Sequence, residues 1–151
     1  MNLTSDPQVV NFPATHYVFV EKTGPFMNTA PAAWQSAHAF VPELSKQNQI
    51  TGYMSLYKRG PQVYRAGFAL AGAPVDLPQG LAYEQFNGGK YVSFVLTGPY
   101  SDLPAASGAV WNTVGEKKIA LRDDFAIENY MNDPRSTPED QLITHILIPA
   151  V

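Results

Sequence analysis

One stretch of this chain occurs twice, and this internal repeat limits the possible folds more than any other feature. The segment VVNFPATHYVFVEKTGPF, which ends at Phe26, aligns without gaps with YEQFNGGKYVSFVLTGPY, which ends at Tyr100. Every position is offset by 74 residues, and both copies end in Thr-Gly-Pro followed by an aromatic residue. A repeat of this length predicts that the chain builds the same group of secondary structures twice.

The first half has the pattern of a strand, a helix and a hairpin. Residues 16–21 alternate aromatic residues with valines, which is typical of a strand that is covered on both faces. Apolar residues at spacings of three and four, beginning with Trp34, then predict an amphipathic helix. Residues 52–57 and 63–70 predict two strands, because the turn-forming residues 58–61 separate them.

The second half repeats this order. Residues 81–86 and 90–96 predict strands, and a helix follows over about 102–114. Residues 125–131 and 141–148 predict the last two strands, which a turn-rich segment joins.

Strands, one helix and a hairpin, present twice, predict an α+β domain that spans residues 1–151. We expect two tandem β-α-β-β units, about 1–75 and 76–151, related by pseudo-twofold symmetry. They would form an antiparallel sheet with two helices on one side. Related halves that meet about such an axis leave a central cleft, which is a common place for a ligand.

The composition argues against several classes of protein. Only 15% of the residues are charged and the net charge is −3, so the chain lacks the basic stripe of a nucleic-acid-binding protein. Cysteine is absent, which excludes disulfides, zinc-thiolate sites and thiol nucleophiles. His16, His38 and His145 are too scattered to indicate a metal site. We therefore expect no metal, no cofactor and no direct contact with nucleic acid.

The chain contains no apolar run long enough to span a bilayer. Its first residues also lack the basic end and apolar stretch of a targeting signal. We expect a cytoplasmic protein without membrane contact, and the sequence does not identify a protein partner.

One carboxylate stands out among aromatic residues. An offset of 73 residues places Tyr57 over Tyr130 and Ser55 over Glu128. Alternation along a strand puts Glu128 and Tyr130 on one face, and it puts Tyr53 on the equivalent face of the first half with Ser55 and Tyr57. Two tyrosine-rich faces with one carboxylate are typical of a site for a flat or cationic ligand.

The chemistry of this carboxylate leaves two functions open. A carboxylate kept from water is unfavourable until a cation or a donor arrives, so we expect a raised pKa for Glu128. In an enzyme, the same raised pKa would suit Glu128 to act as a general base or acid, with Tyr130 orienting the substrate.

Further aromatic residues are candidates for the same site. Trp34 and Trp111, one on each predicted helix, are either core residues or walls of the cleft. Four residues of the repeated strands have the same two alternatives: Tyr17, Phe19, Tyr91 and Ser93.

Motifs in the second half carry a family resemblance. They are Thr97-Gly98-Pro99-Tyr100, Trp111, the run Ile127-Glu128-Asn129-Tyr130-Met131-Asn132-Asp133-Pro134, and Ile148-Pro149 near the end. Together they resemble the GyrI-like small-molecule-binding domain family, which also supplies effector-binding domains to some AraC-type and MerR-type regulators.

The resemblance implies a duplicated fold of the SHS2 type, whose central cleft takes hydrophobic and often cationic ligands, as in multidrug binding. It also implies that Glu128 is the buried glutamate that faces the ligand. His145 stands where family members often carry an acidic residue, so a second acidic contact is not expected.

The leading hypothesis is a stand-alone protein that sequesters or senses a hydrophobic small molecule. Two alternatives come from the same resemblance: a hydrolase of strained, cyclopropane-bearing electrophiles that uses Glu128, and a protein-interaction module similar to gyrase inhibitors.

Overall fold

The structure, a computed structural model, describes residues 1–151 and divides into two compact units. The central unit consists of Pro13–Gly88. The terminal unit combines Met1–Phe12 with Gly89–Val151. Each unit contains one sheet region and one long helix.

The strands are β1 (Asn2–Leu3), β2 (Gln8–Phe12), β3 (Thr15–Thr23), β4 (Ile50–Lys58), β5 (Val63–Leu70), β6 (Ala82–Phe86), β7 (Gly89–Thr97), β8 (Ala126–Tyr130) and β9 (Ile143–Pro149). The helices are α1 (Phe26–Ala39), α2 (Val41–Leu44) and α3 (Leu103–Glu116), with short 3₁₀ turns at Tyr100–Asp102 and Glu139–Gln141. No helix is long and apolar enough to cross a membrane.

In the central unit, four antiparallel strands lie in the order β4-β5-β3-β6. Helix α1 packs on β3 and β5. Its buried residues, Ala33 and Ala37, have small side chains, so the helix backbone approaches the sheet closely. The strand, helix and hairpin predicted for the first half are confirmed.

In the terminal unit, β8, β9 and β7 are antiparallel neighbours, and β1 and β2 both pair with β7. Helix α3 contacts β7 and buries Ala106, Val110 and Val114, which lie at spacings of four. The predicted helix and final hairpin are therefore confirmed as well.

The two units share one plan. The order strand, helix, hairpin gives β4-β5-β3 in one unit and β8-β9-β7 in the other. The repeated Gly-Pro turns also match: the N–H of Gly24 donates to the carbonyl of Gln62 at 3.0 Å, and that of Gly98 donates to Leu142 at 2.8 Å. Both glycines have positive φ angles, 131° and 148°, which explains why this turn keeps glycine. The predicted α+β class with an antiparallel sheet is confirmed.

The first strand of each repeat pairs in an unexpected way. Strands β2 and β6 are equivalent at the offset of 74, yet β2 pairs with β7 and β6 pairs with β3. Pro13 follows β2 directly, and a proline favours an extended residue before it and offers no N–H. The chain runs on from β2 into β3 without a hairpin between them, and β6 likewise forms no hairpin with β7. The compact units consequently differ from the consecutive halves, 1–75 and 76–151, that the repeat led us to expect.

Candidate functional site

Strand β8 presents Glu128 and Tyr130 on one face. The Tyr130 hydroxyl donates a hydrogen bond to Oε1 of Glu128 at 2.9 Å, which requires both side chains to point the same way. On the neighbouring strand β9, Ile146 lies opposite Glu128 and Thr144 lies opposite Tyr130. Both of these neighbours are fully buried, so the carboxylate sits at the edge of the core of the terminal unit.

The electrostatics of Glu128 follow from this position. Its side chain is half-buried, and burial raises the pKa of the carboxyl above its usual value. The hydrogen bond from Tyr130 acts in the opposite direction, because it favours the charged form. Oε1 accepts that bond, and no protein group donates to Oε2. The carboxylate therefore retains an acceptor oxygen for a bound molecule.

Aromatic side chains adjoin the carboxylate. The rings of Tyr100 and Tyr130 meet edge to face with centroids 5.4 Å apart. Burial, and to a smaller extent the charge of Asp133, raises the pKa of the Tyr100 hydroxyl, which stays protonated at neutral pH. Trp111 lies half-buried on α3 in the same unit.

The candidates of the central unit are in contact with one another. Ser55 is fully buried, and its Oγ lies 2.7 Å from the Tyr64 hydroxyl. The indole N–H of Trp34 donates to both oxygens at 3.0 Å. The Tyr53 ring is nearly parallel to the Trp34 ring, with an angle of 10° and centroids 6.4 Å apart. In this unit the Trp34 side chain itself occupies the polar and aromatic face.

Tyr57 completes that face and has a counterpart in the terminal unit. Its ring packs edge to face against Phe26 with centroids 5.5 Å apart, and only 4% of the residue is exposed. Phe26 and Tyr100 are equivalent residues of the repeat, so this pair matches the Tyr100–Tyr130 pair.

The four candidates on the repeated strands are buried. The Tyr17 hydroxyl donates to the carbonyl of Met54 at 2.9 Å, and the Tyr91 hydroxyl donates to that of Phe125 at 2.7 Å. Phe19 lies under the guanidinium of Arg65, 4.2 Å from the ring centroid. Ser93, the last of the four, is 9% exposed. Of the two roles left open for these residues, burial favours the core.

The strand ladders give the equivalence between the two units directly. Ser55 pairs with Ala66 on β5, as Glu128 pairs with Ile146 on β9. Two residues further along each strand, Tyr57 pairs with Tyr64, as Tyr130 pairs with Thr144. Ser55 and Glu128 are therefore equivalent, and so are Tyr64 and Thr144.

Sequence reasoning missed Thr144. Its side chain is fully buried, and its Oγ1 has no hydrogen-bond partner, whereas the equivalent Tyr64 hydroxyl is bonded to Ser55 and Trp34. Extending the repeat through the second strand of each hairpin would have found this pair.

Comparison with known proteins identifies the family and the fold of this chain. The sequence model of the GyrI-like small-molecule-binding domain matches residues 5–151, nearly the whole chain. The chain belongs to this family. The family resemblance predicted from the Gly-Pro-Tyr and Glu-x-Tyr-x-Asn-Asp-Pro motifs is thereby confirmed, and the protein is a GyrI-like small-molecule-binding domain.

Solved structures share the fold of this GyrI-like domain. The C-terminal domain of EcmrR has a TM-score of 0.76 at 13% identity, with 100% of this chain and 99% of that chain covered. SAV2435 bound to tetraphenylphosphonium has a TM-score of 0.72 at 14% identity, with 97% and 94% covered. A hydrolase from Listeria innocua has a TM-score of 0.59 at 14% identity, with 98% and 93% covered. Identities this low establish the fold alone, and no curated protein matches the chain.

Proposed function

We propose that this GyrI-like domain binds hydrophobic, cationic small molecules at Glu128, and so sequesters or senses them. The observation that carries the proposal is the state of the Glu128 carboxylate. It is partly withdrawn from water, its pKa is raised by burial, and Oε2 has no protein donor. A carboxylate in this state is stabilised when a cation binds beside it.

The surroundings of Glu128 suit an apolar ligand. Tyr130 and Tyr100 offer ring edges and faces on the same side of the strand, and a cation over an aromatic ring gains about 0.5 to 2 kcal/mol. Trp111 is a further half-buried aromatic residue of this unit. The site therefore combines one negative charge with apolar contact area, which is the complement of a hydrophobic cation.

The comparisons support the class of ligand. SAV2435, which has the same fold, was solved with tetraphenylphosphonium, a monocation with four apolar rings. The small, negative net charge of this chain gives no reason to expect direct contact with nucleic acid, and the cytoplasmic location stays a prediction.

Calorimetric titration with tetraphenylphosphonium tests the proposal. We expect the wild-type protein to bind the cation, and Glu128→Gln to bind it at least about tenfold more weakly, because the variant keeps the shape and loses the charge. Glu116→Gln, at the exposed end of α3, removes an equal charge from the same unit and should bind like the wild type. Equal affinity of wild type and Glu128→Gln would refute the role of Glu128.

Hydrolysis is a second candidate, favoured by the raised pKa of Glu128. A carboxyl with a raised pKa keeps its proton to a higher pH than an ordinary glutamate and so suits proton transfer, and Tyr130 is placed to orient a substrate. One structural neighbour is named a hydrolase. Incubation with a large excess of a cyclopropane-bearing electrophile distinguishes the two functions. Product beyond one equivalent that Glu128→Gln fails to make supports hydrolysis, and the absence of turnover by the wild type excludes it.

A further inference from the structure

The two units hold two copies of one site that differ in one side chain. In the copy at Ser55, called the filled copy, Trp34 contacts the acceptor. In the copy at Glu128, called the open copy, a small residue takes the position of Trp34. We propose that the open copy, at Glu128, selects flat aromatic ligands that donate an N–H to the carboxylate, in the way that Trp34 donates to Ser55 in the filled copy. This inference rests on the proposed binding function and adds the chemical class of the ligand.

The filled copy shows which shape this fold accommodates. In the central unit, the Trp34 indole lies nearly parallel to the Tyr53 ring and edge to face with Phe68, whose centroid is 6.1 Å away. Its N–H points at the sheet and is shared between Ser55 and Tyr64 at 3.0 Å. A planar aromatic group with one inward N–H donor therefore satisfies both the apolar and the polar part of this face.

The open copy lacks the side chain that fills the first. The buried helix residues Ala33 and Ala37 correspond to Ala106 and Val110 at the same offset of 73 that relates Ser55 to Glu128. At this offset the position of Trp34 falls on the small residue Ser107.

Two further rings of the filled copy are replaced by small side chains. Tyr53 falls on Ala126 at the offset of 73, and Tyr64 corresponds to Thr144 in the strand ladders. Each lost ring removes roughly 150 to 250 Å² of side-chain surface from the face. The acceptor changes at the same time from the neutral Ser55 hydroxyl to the Glu128 carboxylate, and Thr144 Oγ1 stays without a partner.

The carboxylate of Glu128, in place of the Ser55 hydroxyl, determines which hydrogen-bond donor the ligand should carry. Oε1 already accepts the hydrogen bond from Tyr130, so Oε2 can accept a hydrogen bond from the ligand. A charged N–H donor to a carboxylate is about twice as strong as a neutral pair, and a planar cation with adjacent N–H groups meets both oxygens. An aryl amidinium has this geometry, whereas a quaternary ammonium offers the charge without a donor.

Trp111 is the residue that we expect to stack on such a ligand. At the offset of 73, Trp111 takes the position of His38, which contacts the face of the filled copy through Trp34 and Tyr53. Stacking on Trp111 would also make binding visible in the protein's fluorescence.

A matched pair of monocations tests the inference: 2-naphthamidinium, which is planar and donates N–H bonds, and trimethyl(2-naphthyl)ammonium, which has the same ring and charge and no donor. We expect calorimetry on the wild-type protein to give at least about tenfold tighter binding of 2-naphthamidinium. In Glu128→Gln the preference should fall to about threefold or less, while Glu116→Gln should keep it.

The outcomes separate this inference from the proposed function. If both cations bind equally and Glu128→Gln weakens both, the site binds cations and the N–H preference is wrong. If tetraphenylphosphonium binds and neither naphthyl compound does, the inference is again wrong while the proposed function stands. If none of the three cations binds, both are overturned.

Discussion

The Tyr130 hydroxyl donates a 2.9 Å hydrogen bond to Oε1 of Glu128, two residues earlier on the same strand. This bond favours the charged carboxylate, whereas burial favours the neutral acid and has the larger effect. The pKa of Glu128 is therefore raised in the folded protein. Because the unfolded chain has an ordinary glutamate pKa, the folded state binds this proton more tightly than the unfolded state does.

The first prediction concerns stability. A raised folded-state pKa contributes stability that is fully present below the unfolded value of about 4.5 and is lost as the pH rises through the folded value. At pH 7.5 the ionised Glu128 is thus unfavourable, and we expect Glu128→Gln to unfold at a higher urea concentration than the wild type. For each unit by which the pKa of Glu128 is raised, the free energy of unfolding of Glu128→Gln should exceed that of the wild type by about 1.4 kcal/mol.

The same denaturation series at several pH values provides the check. The advantage of Glu128→Gln should shrink as the pH falls and disappear below about pH 4.5, where both side chains are neutral. Glu116→Gln serves as the control, and its difference from wild type should be small at every pH because the residue is exposed. A constant difference for Glu128→Gln would show that its carboxyl titrates normally.

The second prediction concerns the pH dependence of ligand binding. A cation binds the ionised carboxylate, so the affinity for tetraphenylphosphonium should rise as the pH increases through the pKa of Glu128 and then level off. Tyr130→Phe removes the hydrogen bond that lowers this pKa. We expect the midpoint of the pH profile to move up, since a hydrogen bond to a charged group stabilises the charged form by about 1.5 to 3 kcal/mol.

A matched variant is available for this measurement. Tyr57→Phe removes the equivalent hydroxyl from the central unit, where Ser55 stands in place of Glu128. Its pH profile should coincide with that of the wild type. A midpoint that stays in place in Tyr130→Phe would mean that the hydroxyl has no influence on the titration of Glu128.

Residues close together in the chain were predictable in this protein. Alternation within one strand placed Glu128 and Tyr130 on one face, and the spacing of the repeat located the Gly24 and Gly98 turns. Thr144 lies on a different strand, and its contact with this face depends on the register of β8 against β9. Register is a property of paired strands, and the pattern of a single strand does not contain it.

The pairing of β2 with β7 and of β6 with β3 was also not predictable from the pattern of a single strand. Residues 8–12 lack a strong alternating pattern, and only their repeat relation to residues 82–86 indicates a strand. Their partners, β7 and β3, follow from long-range pairing that composition and periodicity do not encode. Trp34 is a candidate wall of the cleft on sequence grounds, and its hydrogen bonds to Ser55 and Tyr64 were not predictable from its position in the chain.

The third prediction tests whether Trp34 occupies a site for a small aromatic molecule. Trp34→Ala should destabilise the protein by about 3 kcal/mol, because it removes a large half-buried ring and leaves the Ser55 and Tyr64 hydroxyls without the indole donor. Added indole can refill the space and restore that donor. We therefore expect millimolar indole to raise the unfolding temperature of Trp34→Ala.

Two comparisons control the indole experiment. Indole should leave the unfolding temperature of the wild type nearly unchanged at the same concentration. In the variant, 1-methylindole should stabilise less than indole, because it has the ring without the N–H. Equal effects of the two compounds would show that the polar contact with Ser55 and Tyr64 is not used.

The fourth prediction concerns two glycines in different surroundings. Gly108 is an exposed residue of α3, and a Cβ added there meets no atom within 4 Å. Gly108→Ala should therefore stabilise the protein by about 0.5 to 1 kcal/mol, because alanine has the higher helix propensity.

Gly67 lies in β5, where a Cβ would approach the carbonyl oxygen of Val18 to 2.2 Å and the Phe19 side chain to 2.8 Å. Gly67→Ala should therefore destabilise by about 2 kcal/mol or more, because strands β3 and β5 must separate. Urea denaturation of the two variants checks both signs, and a neutral Gly67→Ala would mean that β3 and β5 tolerate a wider spacing than the structure shows. Since Ser107 precedes Gly108 on the helix, a stabilised Gly108→Ala that still binds tetraphenylphosphonium would also show that the glycine is not needed for the open site.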